Sequence, residues 1–272
     1  MSLRNSISLL TGGRQENFKN RMSGTSLKVL TYNIHKGFSA TNQRFVLHEI
    51  KNLLQHIDAD VVFLQEVLGE HNKSNHRFIG WPNNRQFEFL ADQVWHHCAY
   101  GKNAIYKSGH HGNAILSKYP FIEWENINVS FLKSASRSLL HGTIQVPGTP
   151  QKIHIICVHL GLFGQERERQ LSTLTGRINS HVPANEPLII AGDFNDWRGR
   201  AEHFLHHGLG VREVFKITHG TYARTFPSWL PVLSMDRIYY RGLDIVNCNH
   251  LHGQPWRRLS DHIPLLAEFR LT

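Results

Sequence analysis

The sequence predicts an α/β domain in which two packed β-sheets are covered by helices. Three observations support this prediction. Short apolar segments of strand length alternate along the 272 residues with longer segments of helical periodicity. The middle of the chain is especially rich in strand-like segments, which Gly and Pro separate. No internal repeat and no Pro-, Gly- or Ser-rich linker divides the chain, so one domain is expected from residue 27 to residue 272.

The individual elements follow from local pattern. Apolar segments bounded by turn residues predict strands at residues 27–32, 60–64, 113–117, 121–129, 139–146, 153–160, 187–191, 237–240, 243–248 and 263–269. Apolar residues spaced three or four apart predict helices at residues 42–57, 86–100 and 165–180. The helical stripes are Phe45, Leu47, Ile50, Leu53, Leu54 and Ile57, then Phe87, Leu90, Val94 and Cys98, then Leu171, Leu174 and Ile178.

The composition is that of a folded, basic protein. Hydrophobic residues make up 40% of the chain, which excludes a disordered protein. The 30 Lys and Arg residues exceed the 21 Asp and Glu residues, so the formal net charge is +9, and 20 His residues add to it at lower pH. This charge predicts attraction to polyanions such as nucleic acid or anionic lipid headgroups and says nothing about the fold.

The sequence also indicates where the protein works. Three cysteines, Cys98, Cys157 and Cys248, are too few for a disulfide framework, which favours a reducing compartment. Residues 1–26 have scattered charges without the apolar segment of a signal peptide, so a polar N-terminal arm is predicted. No segment approaches the about 18 apolar residues of a membrane span. We expect a cytoplasmic monomer, with peripheral binding at the inner membrane surface as an alternative.

Polar residues that suit one kind of chemistry follow or precede the apolar strands. They are Asn33, Glu66, His159, Asp193, Asn195, Asp236, Asp261 and His262. Any one of these residues alone is explained by a role as a helix cap or as a structural histidine. Such roles do not account for so many polar residues at strand ends in one chain. Carboxylate and amide oxygens are ligands for Mg²⁺ or Mn²⁺, and histidines transfer protons near neutral pH. The set therefore favours metal-assisted attack of water on phosphorus.

The same positions lie within motifs of a known family. The motifs are Thr31-Tyr-Asn-Ile-His35, Asp60-Val-Val-Phe-Leu-Gln-Glu66, Gly112-Asn-Ala-Ile-Leu-Ser117, Val158-His-Leu160, Ala191-Gly-Asp-Phe-Asn195, Met235-Asp-Arg-Ile238 and Leu259-Ser-Asp-His262. In this order they resemble the endonuclease/exonuclease/phosphatase superfamily, which includes DNase I. The late segments Arg224-Thr-Phe-Pro-Ser and Asp236-Arg-Ile-Tyr-Tyr-Arg241 further resemble small bacterial members. The resemblance implies a four-layer, DNase I-like sandwich of two mixed sheets between helices.

The resemblance also implies a role for each residue. Glu66 would be the main Mg²⁺ ligand, with Asn33 and Asp261 beside it, and Asn33 would also contact the substrate phosphate. Asp236 would hold His262, which would contact the scissile phosphate or act as general base. Asp193 would orient or deprotonate the attacking water with help from Asn195, and His159 would stabilise charge on the phosphoryl oxygens. The sequence leaves open whether His262 or Asp193 is the base.

Basic side chains near the motifs are candidates for phosphate binding. Arg137 is predicted to clamp a phosphate, because a guanidinium matches phosphate oxygens bidentately, although a solvated surface charge is the alternative. Arg224, Arg237 and Arg241 flank the late motifs with the same ambiguity. His35 and His111 are candidates for lining the cleft or for structural roles.

Other chemistries lack support in the sequence. The histidine pairs at residues 96–97, 110–111 and 206–207 have neither the spacing of a zincin nor a nearby cysteine, so no dedicated zinc site is predicted. There is no Walker loop, GxGxxG or GxSxG motif.

The substrate remains open between two classes. Nucleic acid is slightly favoured by the net charge and by Trp197-Arg-Gly-Arg200 and Trp256-Arg-Arg258, where aromatic and basic residues adjoin. A phospholipid or phosphoinositide headgroup is the alternative, favoured by the late motifs and by Phe226-Pro-Ser-Trp-Leu-Pro231, an exposed-looking apolar segment. A non-catalytic binding protein on the same scaffold is the remote third possibility, which the intact motifs disfavour.

Overall fold

A computed structural model describes residues 25–71, 80–106, 109–130, 137–206 and 208–271. Within these residues, two mixed β-sheets of six strands each pack face to face, and helices cover both outer faces. This is the predicted α/β sandwich. Residues 1–24 of the expected N-terminal arm lie outside the described part of the chain.

The predicted strands are all present, with two additional ones. The strands are β1 (Ser26–Asn33), β2 (Val61–His71), β3 (His97–Tyr106), β4 (Gly109–Ser117), β5 (Phe121–Asn128), β6 (Ser138–Gln145), β7 (Lys152–His159), β8 (Leu188–Asp193), β9 (Arg212–Glu213), β10 (Asp236–Arg241), β11 (Asp244–His250) and β12 (Leu265–Arg270). The first sheet has the order β11-β12-β1-β2-β4-β3, and the second has the order β5-β6-β7-β8-β10-β9. The sequence did not predict β3 and β9.

A parallel strand pair lies at the centre of each sheet. Strand β1 runs parallel to β2, and β7 runs parallel to β8. The carboxyl ends of parallel neighbours meet at the same edge of a sheet, and an antiparallel neighbour such as β10 begins at that edge. This topology brings the polar residues that follow β1, β2, β7 and β8 to one side of the molecule.

Helices form the two outer layers. They are α1 (Leu47–Ile57), α2 (Gln86–Ala91), α3 (Gly164–His181), α4 (Ala201–His206), α5 (Val214–His219) and α6 (Trp256–Leu259), and a 3₁₀ turn spans His35–Gly37. None of the described helices is long and apolar enough to cross a membrane.

Three apolar layers hold the sandwich together. The alternation of side chains in each strand sends Val29, Phe63, Ile155 and Ile189 into the layer between the sheets. The opposite faces pack against helices. The α1 residues Leu47, Ile50 and Leu54 cover the first sheet, and the α3 residues Leu171, Leu174 and Ile178 cover the second.

The predicted helix at residues 86–100 is wrong over its second half. Helix α2 ends at Ala91, and Gln93 has the left-handed φ of 74°, which breaks the helix. Trp95 is buried and donates its indole N–H to the carbonyl of Ala59, and residues 97–106 pair with β4. The ladder with β4 overrides the helical spacing of the apolar residues.

The predicted helix at residues 42–57 begins five residues late, at Leu47. Phe38 and Phe45 form an isolated antiparallel bridge, and the ring of Phe45 stacks on Trp81 at 4.7 Å. Val46 N–H donates to the carbonyl of Gly37, which closes this loop immediately before the helix. The short helices α4, α5 and α6 were not predicted, because each is too short to show a repeated apolar stripe.

Candidate active site

The ends of four strands place polar side chains together at one edge of the sandwich. His159, the last residue of β7, pairs in register with Asp193, the last residue of β8. Asp193 in turn pairs with Asp236, the first residue of β10. From the other sheet, Asn33 at the end of β1 donates its Nδ2 to Asp193 Oδ2 at 3.2 Å. The sequence motifs therefore meet at a shared edge, as their strand-end positions predicted.

Asp236 orients the imidazole of His262. The His262 Nδ1 atom lies 2.8 Å from Asp236 Oδ2, and both residues are buried. A carboxylate only accepts, so Nδ1 carries the proton and Nε2 turns toward Asp193 Oδ2, 3.8 Å away. Burial disfavours the charged imidazole, but the carboxylates of Asp236 and Asp193 outweigh it and raise the pKa of His262 well above its ordinary value. The dyad holds a protonated imidazole beside the site.

Asp193 lies at the centre of the polar cluster. Its Oδ1 accepts the backbone N–H of Asn195 at 2.9 Å, and its Oδ2 lies 3.6 Å from Nε2 of His159. Burial raises the pKa of Asp193, against the lowering effect of the His262 charge and of the hydrogen bonds that Asp193 accepts. A carboxyl group tuned upward in this way is suited to accept a proton near neutral pH.

Asn195 and His159 complete the strand-end cluster. Asn195 has a φ of 49° and donates its Nδ2 to the carbonyl of Leu160 at 2.9 Å, which fixes the loop after β8 against the loop after β7. Burial and the nearby Arg137 charge lower the pKa of His159 well below its usual value, so this imidazole is neutral. A neutral imidazole is a hydrogen-bond donor that does not need to lose a proton.

A β-bulge directs Glu66 into the site. Leu64 pairs with Ala114 and Val67 pairs with Gly112, so two residues of β2 oppose Asn113 alone. Glu66 has a left-handed φ of 56°, and its side chain is partly exposed, while the preceding glutamine is fully buried. Because side chains alternate along a regular strand, the extra residue sets which of the two side chains reaches the site edge.

Glu66 is ionised despite its burial. Burial alone would raise its pKa, but the ammonium of Lys36, through its charge and its hydrogen bond, holds the pKa of Glu66 well below its ordinary range. The ammonium of Lys36 lies 2.9 Å from Glu66 Oε2. An anionic carboxylate is the form that binds a metal cation.

The 3₁₀ turn after β1 links the three predicted metal ligands. His35, Lys36 and Gly37 have positive φ angles of 47°, 60° and 79°. His35 donates its backbone N–H to Asn33 Oδ1 at 3.1 Å, and its Nδ1 lies 3.4 Å from Asp261 Oδ1. Asn33, Asp261 and Glu66 thus each contact residues 35–36. Lys36 was not singled out from the sequence, although it adjoins the first motif.

The donor set fits a divalent magnesium or manganese ion. Glu66 and Asp261 supply carboxylates and Asn33 supplies an amide, which are the hard oxygen ligands that these ions prefer. Among the described residues, the group whose ligand atoms all lie within 4.8 Å of one another is Asp193, Asp236 and His262. Asp236 accepts a hydrogen bond from His262 within this second group.

The candidate arginines differ in their positions. Arg137 donates its Nε–H to the carbonyl of Leu160 at 3.2 Å, beside His159, and its role as a phosphate clamp stays a prediction. Arg237 is buried, donates to the carbonyls of Ser234 and Asp196, and covers the ring of Tyr222 at 4.0 Å. It stabilises the backbone and does not face a substrate.

Arg241 likewise has a structural position. Its guanidinium donates to the carbonyls of Leu209 at 3.2 Å and Pro183 at 2.8 Å, at the end of β10 away from the site. For Arg237 and Arg241, whose roles the sequence left open, these contacts favour a structural role.

Two hydroxyl residues were missed by the sequence reasoning. Ser260 Oγ donates to the carbonyl of Asn33 at 2.7 Å and accepts the backbone N–H of His262 at 3.2 Å, so it joins β1 to the last motif. Thr225 Oγ1 accepts the backbone N–H of Asp236 at 3.2 Å. Ser260 lies within Leu259-Ser-Asp-His262 and Thr225 lies within Arg224-Thr-Phe-Pro-Ser, so both could have been found from these motifs.

Comparisons with known proteins agree on one family. A model described as "Endonuclease/Exonuclease/phosphatase family" matches residues 30–262. The uncharacterized protein YbhP of Escherichia coli (strain K12) is 46% identical over 246 residues, which cover 90% of this chain and 97% of that protein.

Solved structures share the fold. An endonuclease/exonuclease/phosphatase from Beutenbergia cavernae has a TM-score of 0.71 at 19% identity, over 90% of this chain and 72% of the other. D. rerio TDP2 complexed with single-strand DNA product has a TM-score of 0.68 at 20% identity, over 90% of this chain and 99% of the other. At these identities the likeness concerns the fold alone.

Proposed function

The chain belongs to the endonuclease/exonuclease/phosphatase family, and we propose that it is a metal-dependent phosphodiesterase. The observation that carries the proposal is the placement of His262 between two carboxylates. Its Nδ1 lies 2.8 Å from Asp236 and its Nε2 lies 3.8 Å from Asp193, within a cluster where Glu66 is held ionised. A proton-transfer group and an anionic metal ligand therefore occur in one site.

The proposed mechanism assigns each residue by its contacts. Mg²⁺ or Mn²⁺, held by Glu66, Asn33 and Asp261, would supply charge neutralisation at the phosphate. Asp193, whose pKa burial raises, orients and deprotonates the attacking water, and Asn195 holds the loop that carries it.

The remaining groups stabilise charge. His262, protonated and fixed by Asp236, donates a hydrogen bond from Nε2 to a phosphoryl oxygen. Neutral His159 and the guanidinium of Arg137, which lie beside each other after β7 and before β6, support the other phosphoryl oxygens. In this assignment Asp193 is the general base and His262 is the electrostatic partner, since the raised pKa of His262 leaves it without a free lone pair at Nε2.

Nucleic acid is the first candidate substrate. The net charge of +9 favours a polyanion, and the exposed Trp197 is followed by the exposed Arg198. The TDP2 structure that holds single-strand DNA has the same fold, which is compatible with this substrate class.

A phospholipid headgroup is the second candidate. Trp229 and Leu230, in the segment that looked exposed from the sequence, are 60% and 54% exposed, and Phe226 in the same segment packs against the ring of His262 at 5.0 Å. Apolar side chains that project beside a catalytic imidazole suit a lipid surface. A cytoplasmic, monomeric protein is compatible with either substrate and remains our proposal.

Hydrolysis of bis-p-nitrophenyl phosphate in the presence of Mg²⁺ tests the reaction class. We expect EDTA to abolish the activity and both Glu66→Gln and His262→Ala to reduce kcat by about 10² or more. His56→Ala, an exposed histidine at the end of α1, is the matched control and keeps the wild-type rate. Activity that survives EDTA, or that is unchanged in both site variants, would contradict the metal mechanism.

A substrate panel then separates the candidates. Plasmid DNA, a single-stranded oligonucleotide, RNA, cardiolipin, sphingomyelin and inositol phosphates are compared with Mg²⁺ under one set of conditions. Cleavage of the nucleic acids supports the first candidate. Intact nucleic acids alongside turnover of one lipid support the second.

A further inference from the structure

Exposed apolar side chains are concentrated beside the site. Six of the ten large hydrophobic residues that are exposed in the described part of the chain belong to three loops that adjoin catalytic residues, and they are between 42% and 67% exposed. We call these six the apolar rim: Leu162, Phe163, Trp197, Trp229, Leu230 and Val232. Exposed apolar residues gathered around one site mark an interaction surface.

One arginine contacts two of the three loops. Leu162 and Phe163 follow the strand that ends at His159, and Trp197 follows Asn195 by two residues. The buried guanidinium of Arg167 donates to the carbonyl of Leu162 at 2.6 Å and lies 5.3 Å from the ring of Trp197. Arg167 therefore fixes both loops against each other while their apolar side chains project outward.

The third loop is a hairpin anchored on the last motif. Phe226 and Leu233 bridge its two arms, and Ser228 donates its N–H to the carbonyl of Asp261 at 2.7 Å and its Oγ–H to the carbonyl of Ser260 at 2.6 Å. These bonds fix the base of the loop, from which Trp229, Leu230 and Val232 project beside the His262 side of the site.

Basic side chains accompany the apolar ones. Arg198 and Arg200 follow Trp197 and are exposed, and Arg200 pairs with Glu168 at 2.9 Å. Arg257 donates to the carbonyl of Trp229, and Arg258 beside it is exposed. The rim thus combines apolar tips with cationic flanks, a pattern that matches an anionic bilayer, where apolar groups enter the interface and arginines contact the headgroups.

We propose that the apolar rim docks the protein on an anionic lipid bilayer, with the catalytic cleft turned to the headgroups. Tryptophan suits both a membrane interface and base stacking, but the aliphatic Leu162, Leu230 and Val232 have no π-face with which to stack on a base. Their exposure therefore favours a bilayer over single-stranded nucleic acid. The docking itself does not require turnover, whereas the implied substrate, a lipid phosphodiester, rests on the proposed function.

Vesicle co-sedimentation of the full chain in EDTA tests the surface without chemistry. We expect binding to vesicles of equal parts phosphatidylcholine and phosphatidylglycerol, and much weaker binding to phosphatidylcholine alone. Leu230→Asp combined with Val232→Asp reduces the partition coefficient by about tenfold or more, because two apolar contacts are lost and two anionic charges are added. Ile217→Asp with Val246→Asp, which are similarly exposed outside the three loops, is the matched control with wild-type binding.

Charge is tested in the same assay. Arg258→Glu weakens binding to the anionic vesicles by about fivefold or more, while Lys152→Glu, at the opposite end of β7 from His159, makes the same charge change and has little effect. Circular dichroism and thermal melting check that every variant is folded.

Three results would overturn the docking surface. The first is that the wild type does not bind the anionic vesicles, and the second is that the rim and control variants lose equal amounts of binding. The third is that the protein binds a single-stranded oligonucleotide more tightly than the vesicles and that the rim substitutions abolish this binding. That third result would assign the rim to nucleic acid. Hydrolysis of bis-p-nitrophenyl phosphate by the same wild-type sample separates the two proposals. Hydrolysis without vesicle binding overturns the docking surface alone, and vesicle binding without Mg²⁺-dependent hydrolysis overturns the proposed function alone.

Discussion

Asn33 donates a hydrogen bond to Asp193 at 3.2 Å, which joins the two sheets across the candidate active site. Asp193 also accepts the backbone N–H of Asn195 and has the imidazoles of His159 and His262 within 3.8 Å. One carboxylate is thus contacted from both sheets and both histidines, so its substitution is expected to affect both the proposed chemistry and the stability of the site.

Asp193→Asn reduces kcat by about 10³, because an amide cannot take the proton of the attacking water. The unfolding free energy falls by about 1–3 kcal/mol, because both oxygens of Asp193 accept hydrogen bonds and an amide has only one acceptor oxygen. Steady-state kinetics on bis-p-nitrophenyl phosphate and thermal melting measure the two effects. Asp196→Asn is the control: Asp196 Oδ2 accepts the N–H of Ala201 at the start of α4 at 2.7 Å, and asparagine keeps an acceptor for this bond, so we expect little change in rate or stability. A wild-type kcat in Asp193→Asn would contradict the assignment.

The dyad of Asp236 and His262 acts as one unit. Asp236→Ala and His262→Ala each lower kcat by about 10² to 10⁴, and the double variant is about as active as the worse single variant, because Asp236 works only through the imidazole that it orients. A double-mutant cycle on kcat measures this coupling. Multiplicative losses in the double variant would show instead that the two residues act independently.

Lys36 competes with a metal ion for Glu66. Lys36→Met tightens Mn²⁺ binding by about two- to fivefold, because the partly exposed ammonium 2.9 Å from Glu66 Oε2 must move when a cation binds. Electron paramagnetic resonance titration of free Mn²⁺ measures the affinity without turnover. Lys51→Met removes an ion pair of the same length, to Asp92, and leaves the affinity unchanged. Equal or weaker Mn²⁺ binding in Lys36→Met would show that the ammonium does not oppose the metal.

Glu213 makes stability depend on pH. Its carboxyl group is buried, and burial raises its pKa from 4.5 to about 7, although its Oε2 accepts the N–H of Lys216 at 2.7 Å. The folded state therefore binds more protons than the unfolded state between these values, and the free energy of unfolding falls as pH rises from about 4.5 to 7.

Glu213→Gln removes the fall in the free energy of unfolding between pH 4.5 and 7, and it keeps an acceptor for the N–H of Lys216. We expect the variant to be more stable than the wild type at pH 8 by up to about 3 kcal/mol, with the difference shrinking toward pH 4.5. Urea unfolding of both proteins at several pH values measures the difference, and Glu49→Gln on the exposed face of α1 is the control. A difference that does not vary with pH would contradict the buried carboxylate as its cause.

The sequence predicted the two sheets and the meeting of the motif residues at one edge because both depend on local signals. Apolar strands are recognisable by length and by their bounding turns, and Asp193, His262 and their partners lie directly at strand ends within quoted motifs. Strand β3 was missed because Phe87, Leu90, Val94 and Cys98 have helical spacing, which the ladder between β3 and β4 overrides.

The contacts around the motifs are made between side chains that are not adjacent in the sequence. Lys36 reaches Glu66, and Thr225 holds the start of β10, through contacts that join segments far apart in the chain. The burial of Arg237 against the ring of Tyr222 likewise has no local signature, so its charge was assigned to the phosphate when it belongs to the packing. Long-range geometry, which a single sequence does not display, decides these cases.

The hydrogen bonds across the site also tie activity to folding. Asn33 and Asp193 are 160 positions apart, and Asn33 and Ser260 are 227 positions apart. Closing such long loops costs entropy before the contacts repay it, so the cleft becomes complete only once the first and last strands have come together. A nascent chain that ends before residue 236 has neither Asp236 nor His262. The proposed hydrolysis is therefore expected to appear late in folding, once β12 has paired with β1.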